Sequence, residues 1–191
     1  SFLPLAHIFA LATEIILMTC GARICYGHAR TLTGSSPYMH PSNPEGGDIT
    51  ACKPTALILV PAVLELIKTG LNLKLSRMEG WKGRFVRGAV EKAQGRTPEA
   101  GGGLNCLLSL GLTGVLLGKV RAQLGLENLR IVVCGGAPLS METQAFVNNV
   151  LGPVCQGYGA TETTGCATAT EVTGAMSGTP LRPADKTLGI V

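Results

Sequence analysis

The residues best equipped for chemistry lie together in Tyr158-Gly159-Ala160-Thr161-Glu162. Glycine lets the backbone come close to a ligand. Thr161 offers a hydroxyl to a phosphate oxygen, and Glu162 offers the hard carboxylate oxygen that Mg²⁺ prefers. Tyr158 adds a ring face on which a nucleobase can stack. By residue type alone, this stretch fits a magnesium–nucleotide site and fits a plain Gly/Thr turn equally well. A second glycine-rich turn, Gly135-Gly136-Ala137-Pro138, stands upstream of it.

Competing chemistries fail on spacing. A P-loop needs Gly, four residues, then Gly-Lys-Ser/Thr; Gly118-Lys119 is followed by Val120 and has Thr113 at the first glycine position. Gly174-Ala175-Met176-Ser177-Gly178 has the wrong spacing for a nucleophile elbow, and no dinucleotide fingerprint occurs. His7, His28 and His40 are not at metal-ligand spacing, and no Cys-x-x-Cys pair exists. Cys155 sits in an apolar run without a basic neighbour and reads as a structural thiol. The seven cysteines are odd in number and scattered through apolar runs, so the expectation is reduced, buried thiols in an intracellular protein.

Composition sets the frame for these residues. Apolar residues make up 46% of the 191 positions and charged ones 15%, which is material for a packed core and not for a disordered chain. The chain opens in Ser1-Phe2-Leu3-Pro4-Leu5 without Met and closes in Leu188-Gly189-Ile190-Val191, so it is expected to be a piece of a larger protein. Within a net charge of +4, eight basic residues fall between Lys68 and Arg96 against Glu79 and Glu91. That stretch suits either a solvated helix face or a phosphate-rich membrane surface. Aromatics at 4% and the lack of a recognition motif argue against nucleic acid as a partner. The most apolar segment, Leu104 to Gly118, is shorter than the roughly 20 residues a membrane span needs, and a buried helix is expected there.

The elements that must position the two turns follow from pattern. Phe9 to Thr19 has helical apolar spacing, with Gly21 placed to stop it. Arg23 to Tyr26 reads as a short strand, and residues 33 to 50 as an exposed loop. Thr55 to Val60 reads as a strand buried on both faces, and Ala62 to Leu75 as a helix with Pro61 just before its first turn. Trp81 to Gln94 suits a basic amphipathic helix, Arg96 to Gly103 a break, and Leu104 to Leu124 a helix weakened by glycines. Leu129 to Cys134 is a strand, and Ser140 can cap a helix reaching Val150, with Glu142 serving only as a dipole partner in its first turn. Val154-Cys155-Gln156 is a third strand. This alternation predicts an α/β fold of layered, mostly parallel sheets with flanking helices. Ligands of such folds bind beyond the carboxyl ends of the strands, where both glycine-rich turns fall.

Gln156-Gly157-Tyr158-Gly159-Ala160-Thr161-Glu162-Thr163 resembles the signature of acyl- and aryl-adenylating enzymes, and Gly135-Gly136-Ala137-Pro138-Leu139-Ser140 resembles their adenine-side loop. Leu3-Pro4-Leu5-Ala6-His7, Lys53-Pro54-Thr55, Val60-Pro61, Lys119 to Gly125 and Gly174 to Leu181 match further landmarks of that superfamily in the same order. The ordered set is most similar to long-chain fatty acid–CoA ligases. The resemblance implies that residues 1–191 are part of the AMP-binding domain. It places the phosphate loop upstream, and the C-terminal small domain with its lysine downstream. It further implies activation of a long-chain fatty acid by Mg-ATP to an acyl-adenylate, followed by transfer to CoA. By the same resemblance Glu162 holds Mg²⁺ and Thr161 contacts the α-phosphate. Tyr158 stacks on adenine, with the Gly135-Gly136-Ala137 backbone on its other side and Gln156, Gly157 and Gly159 completing the nucleotide site, and His7 stands near the reacting carboxylate. In the full-length protein, attachment to the endoplasmic reticulum or another organelle surface is expected. Alternatives are an aryl, short-chain or amino-acid adenylating ligase, or a non-catalytic nucleotide- or lipid-binding protein. Ala160 departs from the pattern, since long-chain ligases usually carry Leu there.

Overall fold

The computed structural model describes residues 1–34, 38, 46–77, 79–93 and 113–170. Its elements are α1 (Ile8–Thr19), α2 (Asp48–Cys52), β1 (Ala56–Leu59), α3 (Pro61–Ser76), α4 (Gly80–Ala93), α5 (Thr113–Gln123), β2 (Ile131–Cys134), α6 (Met141–Phe146), β3 (Val154–Tyr158) and β4 (Thr168–Ala169). The described part of the chain is α/β, as expected. One sheet has the order β1-β2-β3-β4. β1 pairs in parallel with β2 and β2 with β3, while β4 closes antiparallel on β3.

Parallel neighbours in sequential order need crossovers, and crossovers of the usual hand lay the intervening helices on one face. The core follows from this. α3 contributes the stripe Leu64, Ile67, Leu71 and Leu75, at helical spacing, and it joins Leu57, Leu59, Val132, Cys134, Phe146, Val147, Val150 and Leu151 in one buried cluster. Filling such positions is worth about 1.5–3 kcal/mol per large apolar side chain.

Several expectations are revised. β1 and β2 are not buried on both faces: burial alternates, with Leu57, Leu59, Val132 and Cys134 inside and their neighbours half-exposed. Arg23 to Tyr26 is extended but joins no described strand; the Cys25 carbonyl accepts from the Ser1 nitrogen, and Gly27 N donates to Ser1 O at 2.8 Å. The helix after Ser140 is α-helical only to Phe146 and then widens into a π-turn over Val147–Leu151, closed by Gly152 N donating to Val147 O at 2.8 Å. Arg121 donates to the Val150 carbonyl at 2.8 Å, tying α5 to that turn. The expected loop is partly helical, because Asp48–Cys52 forms α2. The expected break at Arg96–Gly103, the start of the helix from Leu104 to Leu112, and the landmark from Gly174 to Leu181 lie outside the described residues.

The cysteine expectation is corrected as well. Cys25 and Cys52 form a disulfide with Cα atoms 6.3 Å apart, joining the segment after α1 to the end of α2. Their separation of 27 residues hid a proximity created by the fold. Cys20 and Cys166 are exposed thiols, not buried ones.

The described basic residues of the stretch, Lys68, Arg77, Arg84 and Arg87, do not all face outward. Lys68 lies inward between Glu65, at 3.8 Å, and Glu142, at 3.2 Å, and Arg87 donates to the Leu75 carbonyl at 2.8 Å. Arg84 is exposed. No helix among the described residues is long and apolar enough to cross a membrane.

Candidate functional site

Strand register decides which loops meet. Cys134 is opposite Gln156, so the chain leaves β2 and β3 side by side, with Gly135 facing Gly157. A Cβ built on Gly135 would lie 3.4 Å from the Gly157 carbonyl oxygen and 3.5 Å from the Phe9 ring. Gly136 has φ +85°, a left-handed conformation that favours glycine, and its nearest side-chain neighbour is Val60 at the end of β1. The carboxyl ends of all three parallel strands therefore converge, with the first turns of α1 beside them. At Gly165, φ +100°, an added Cβ would come within 3.2 Å of Ala12 on α1.

The Gly135–Pro138 turn is held from behind by side chains. Ser140 caps α6 by accepting from Thr143 N at 3.2 Å. Its hydroxyl lies 3.0 Å from Thr143 Oγ1 and 3.2 Å from Glu65 Oε1. Thr143 in turn donates to Glu65, and Lys68 Nζ donates to Thr143 Oγ1 at 3.2 Å. Glu142 is thus an ion-pair partner of Lys68 as well as a first-turn acid, which corrects its expected role as a dipole partner only.

The turn after β3 is closed by its own backbone. Thr163 N and Gly165 N donate to Ala160 O at 3.2 and 3.0 Å, and Ala167 N donates to Tyr158 O at 2.8 Å. Thr163 Oγ1 accepts from Ala160 N at 2.8 Å and lies 3.0 Å from Ala160 O. A 3₁₀ turn over Thr161–Thr163 results. Its closure leaves the Thr161 and Glu162 side chains exposed, and neither has a hydrogen-bond partner among the described residues. The Tyr158 ring is 62% exposed. A hydroxyl, a carboxylate and an aromatic face are presented together on one short, internally braced turn.

Other expected site residues fall as follows. Gln156 and Gly157 are half-buried in β3, and Ala137 is exposed on the first turn. His7 is exposed and caps α1, with Nδ1 accepting from Phe9 N at 3.2 Å. That use of Nδ1 leaves Nε2 as the nitrogen available for a ligand. Through Phe9, whose ring lies against Gly135, His7 belongs to the same end of the sheet. Burial raises the Cys134 thiol to about 11. Cys155 is also raised, chiefly by burial, against the lowering effect of its bond to the Thr170 carbonyl. Neither thiol suits a nucleophile, which agrees with the structural reading of Cys155.

Sequence reasoning missed Phe9, Thr163 and Thr170, whose hydroxyl accepts from Gln156 N at 2.8 Å. Thr163 carried a signal, since a hydroxyl residue three positions after a turn residue can bond back to its backbone. Phe9 and Thr170 carried none, because their roles exist only after strand pairing.

The chain matches the family model for AMP-binding enzymes over residues 1–189 and belongs to that family. Its match to long chain acyl-CoA synthetase 8 of Arabidopsis thaliana is 37% identical over 171 residues, covering 89% of this chain and 23% of that protein. Long-chain-fatty-acid–CoA ligase 2 of Schizosaccharomyces pombe is 37% identical over 163 residues, covering 85% of this chain and 22% of that protein. Among solved structures, the N-terminal domain of FACL13 from Mycobacterium tuberculosis superposes with a TM-score of 0.47 at 17% identity, over 94% of this chain and 31% of that one. The chain spans less than a quarter of the length of the two synthetases.

Proposed function

We propose that the protein carrying this chain activates a long-chain fatty acid with ATP, forming an acyl-adenylate and pyrophosphate and then passing the acyl group to CoA. The observation that carries the reading is the exposed Thr161–Glu162 pair on a turn closed by its own backbone, one strand from the Gly135-Gly136 turn at the same ends of the sheet. Similarity to long-chain ligases gives it a substrate class.

Each residue has a physical task in the first half-reaction. Thr161 donates its hydroxyl to an α-phosphate oxygen as negative charge builds there. Preorganised donors of this kind lower barriers because they need not reorient during the reaction. Tyr158 stacks on the adenine, and Gly136 and Ala137 form the opposite wall with backbone alone. His7 Nε2 orients the incoming carboxylate, since two anions brought together must be steered as well as neutralised.

Among the described residues no group of three or more acidic, histidine or cysteine side chains gathers to cage a metal. A lone exposed carboxylate fits Mg²⁺ in its usual mode, shared between one or two protein carboxylates and substrate phosphates, and Glu162 would hold it. The ion would supply neutralisation of phosphate charge. The resemblance assigns the triphosphate grip and the lysine of adenylation to parts of the protein beyond these residues, so the 191-residue chain alone is expected to make no acyl-CoA. Attachment of the intact protein to an organelle membrane belongs to the same reading.

The test is acid-dependent exchange of labelled pyrophosphate into ATP by the intact protein. Exchange is expected with a C16–C20 fatty acid and Mg²⁺, and not with benzoate, acetate or amino acids. Exchange driven best by an aryl or amino acid would replace the substrate assignment, and no exchange with any acid would remove the enzymatic one.

A further inference from the structure

A cavity of about 590 Å³ lies between α1, the segment following it, α2 and β1. That volume is in the range of small-molecule sites, roughly 300–1,000 Å³. Its α1 wall is formed by Ala10, Thr13, Glu14 and Leu17, one face of the helix, and Ile24, Ile49 and Leu57 contribute apolar surface opposite. This face differs from the one that carries Phe9 and Ala12 toward the glycine-rich turns.

Glu14 is out of place on such a wall. It is only 4% exposed. Its Oε2 accepts from the Tyr26 hydroxyl at 3.0 Å, while Oε1 is buried without a hydrogen-bond partner among the described residues. A buried polar atom left unmatched costs about 1–3 kcal/mol, and more when charged. Of the other polar groups around the cavity, Arg23 and Thr55 are exposed to solvent, and the rest are engaged. Thr13 donates to Phe9 O, Asp48 accepts from His28 N at 2.9 Å and Thr31 Oγ1 at 2.6 Å, and Lys53 pairs with Glu127 at 2.9 Å. The Ser1 nitrogen bonds to the Cys25 carbonyl.

We propose that this cavity is a binding site for an aliphatic amine or alcohol, whose polar head donates to Glu14 Oε1 and whose chain lies along Ala10, Leu17, Ile24 and Leu57. A cationic or hydroxyl donor satisfies the unmatched Glu14 Oε1, and the hydrocarbon covers apolar surface worth about 25 cal/mol per Å². A fatty carboxylate is excluded from this orientation, because its head would meet a buried charge of the same sign. The site is independent of the adenylation reading, which concerns the other end of α1.

The test is calorimetric titration of the intact protein at neutral pH with octylamine, 1-octanol and octanoate. Octylamine is expected to bind at least tenfold more tightly than octanoate, with 1-octanol between them. Glu14→Gln keeps the shape and removes the charge; it should weaken octylamine at least tenfold and change 1-octanol less than threefold. Ala51→Trp, placed at an exposed lining position, should block all three probes and decides the matter if Glu14→Gln does not fold. Octanoate binding as tightly as octylamine, octylamine affinity unchanged in Glu14→Gln, octylamine binding that survives Ala51→Trp, or no binding of octylamine would each overturn the proposal.

Discussion

The glycine-rich turn after β2 and the one after β3 occupy equivalent places, one strand apart, and are stabilised by different means. Behind Gly135–Pro138 stands a set of side chains, Glu65, Lys68, Ser140, Glu142 and Thr143, that ties α6 to α3. Within Gly157–Gly165 the brace is backbone bonding to Ala160 O and Tyr158 O, with one hydroxyl, Thr163, assisting. Under the proposed function, the first turn would meet its ligand with bare backbone, which leaves side chains to be used in the layer beneath. The second turn would present side chains; it closes on itself, and Thr161 and Glu162 stay exposed. On that reading the difference follows from which atoms would face the ligand.

Four experiments on the intact protein would break or sharpen that contrast. The largest effect is expected from Glu162→Gln, which keeps an acceptor oxygen and removes the charge a hard dication requires. Pyrophosphate exchange should fall by about 10² to 10³, roughly 3–4 kcal/mol of transition-state stabilisation, with thermal stability nearly unchanged because the side chain is exposed and makes no hydrogen bond or ion pair among the described residues. Exchange at the normal rate would mean that the second turn presents no metal ligand.

Gly159→Ala comes next. Its Cβ would overlap the Gly165 carbonyl oxygen and lie 2.6 Å from the Gly165 carbon, so the backbone of the turn must give way. Overpacking of this kind costs about 1–3 kcal/mol, read as a lower midpoint in denaturant. Gly157→Ala is the control, since nothing lies within 3.7 Å of its Cβ position, and a change within about 0.5 kcal/mol is expected. Equal costs at the two positions would refute the self-closure of the second turn.

Ser140→Ala probes the layer beneath the first turn. Loss of the cap should cost about 1 kcal/mol and raise the KM for ATP more than it lowers kcat, because the Gly135–Pro138 wall loosens without losing a reacting group. A kcat defect at constant KM would assign Ser140 to the chemistry.

The smallest effect concerns the thiols. Iodoacetamide at pH 8 should modify Cys166, which is exposed just after the second turn, and spare Cys134 beneath the first, as mass spectrometry of peptides would show. Cys134 is raised in the fold from about 9 to about 11 by burial. Its stabilising contribution is therefore complete below pH 9 and is lost as pH rises through about 11. Chemical denaturation between pH 8 and 11 should show that loss, and Cys134→Ala should flatten it.

Local pattern determined a good deal of this protein. The apolar runs Thr55–Val60 and Leu129–Cys134 became β1 and β2, Ser140 capped its helix, Pro61 opened α3, and the alternation of strand and helix led to parallel pairing. The glycine-rich turns announced themselves because close backbone approach and left-handed φ restrict the residue type at single positions such as Gly136. Those effects act within a few residues, so a linear reading can find them. Tertiary structure alone decided the rest. The Cys25–Cys52 bond, the Phe9 ring beside Gly135, the Glu65–Lys68–Thr143 network and the burial of Glu14 all join residues set apart in sequence or fix which face of a helix is covered. Arg23 to Tyr26 had the composition of a strand and joins no ladder among the described residues, and strand formation depends on a partner edge as well as on propensity. Whether a charged or sulfur-bearing side chain ends in water or in the core is settled by what packs against it, and the chain order does not encode that locally.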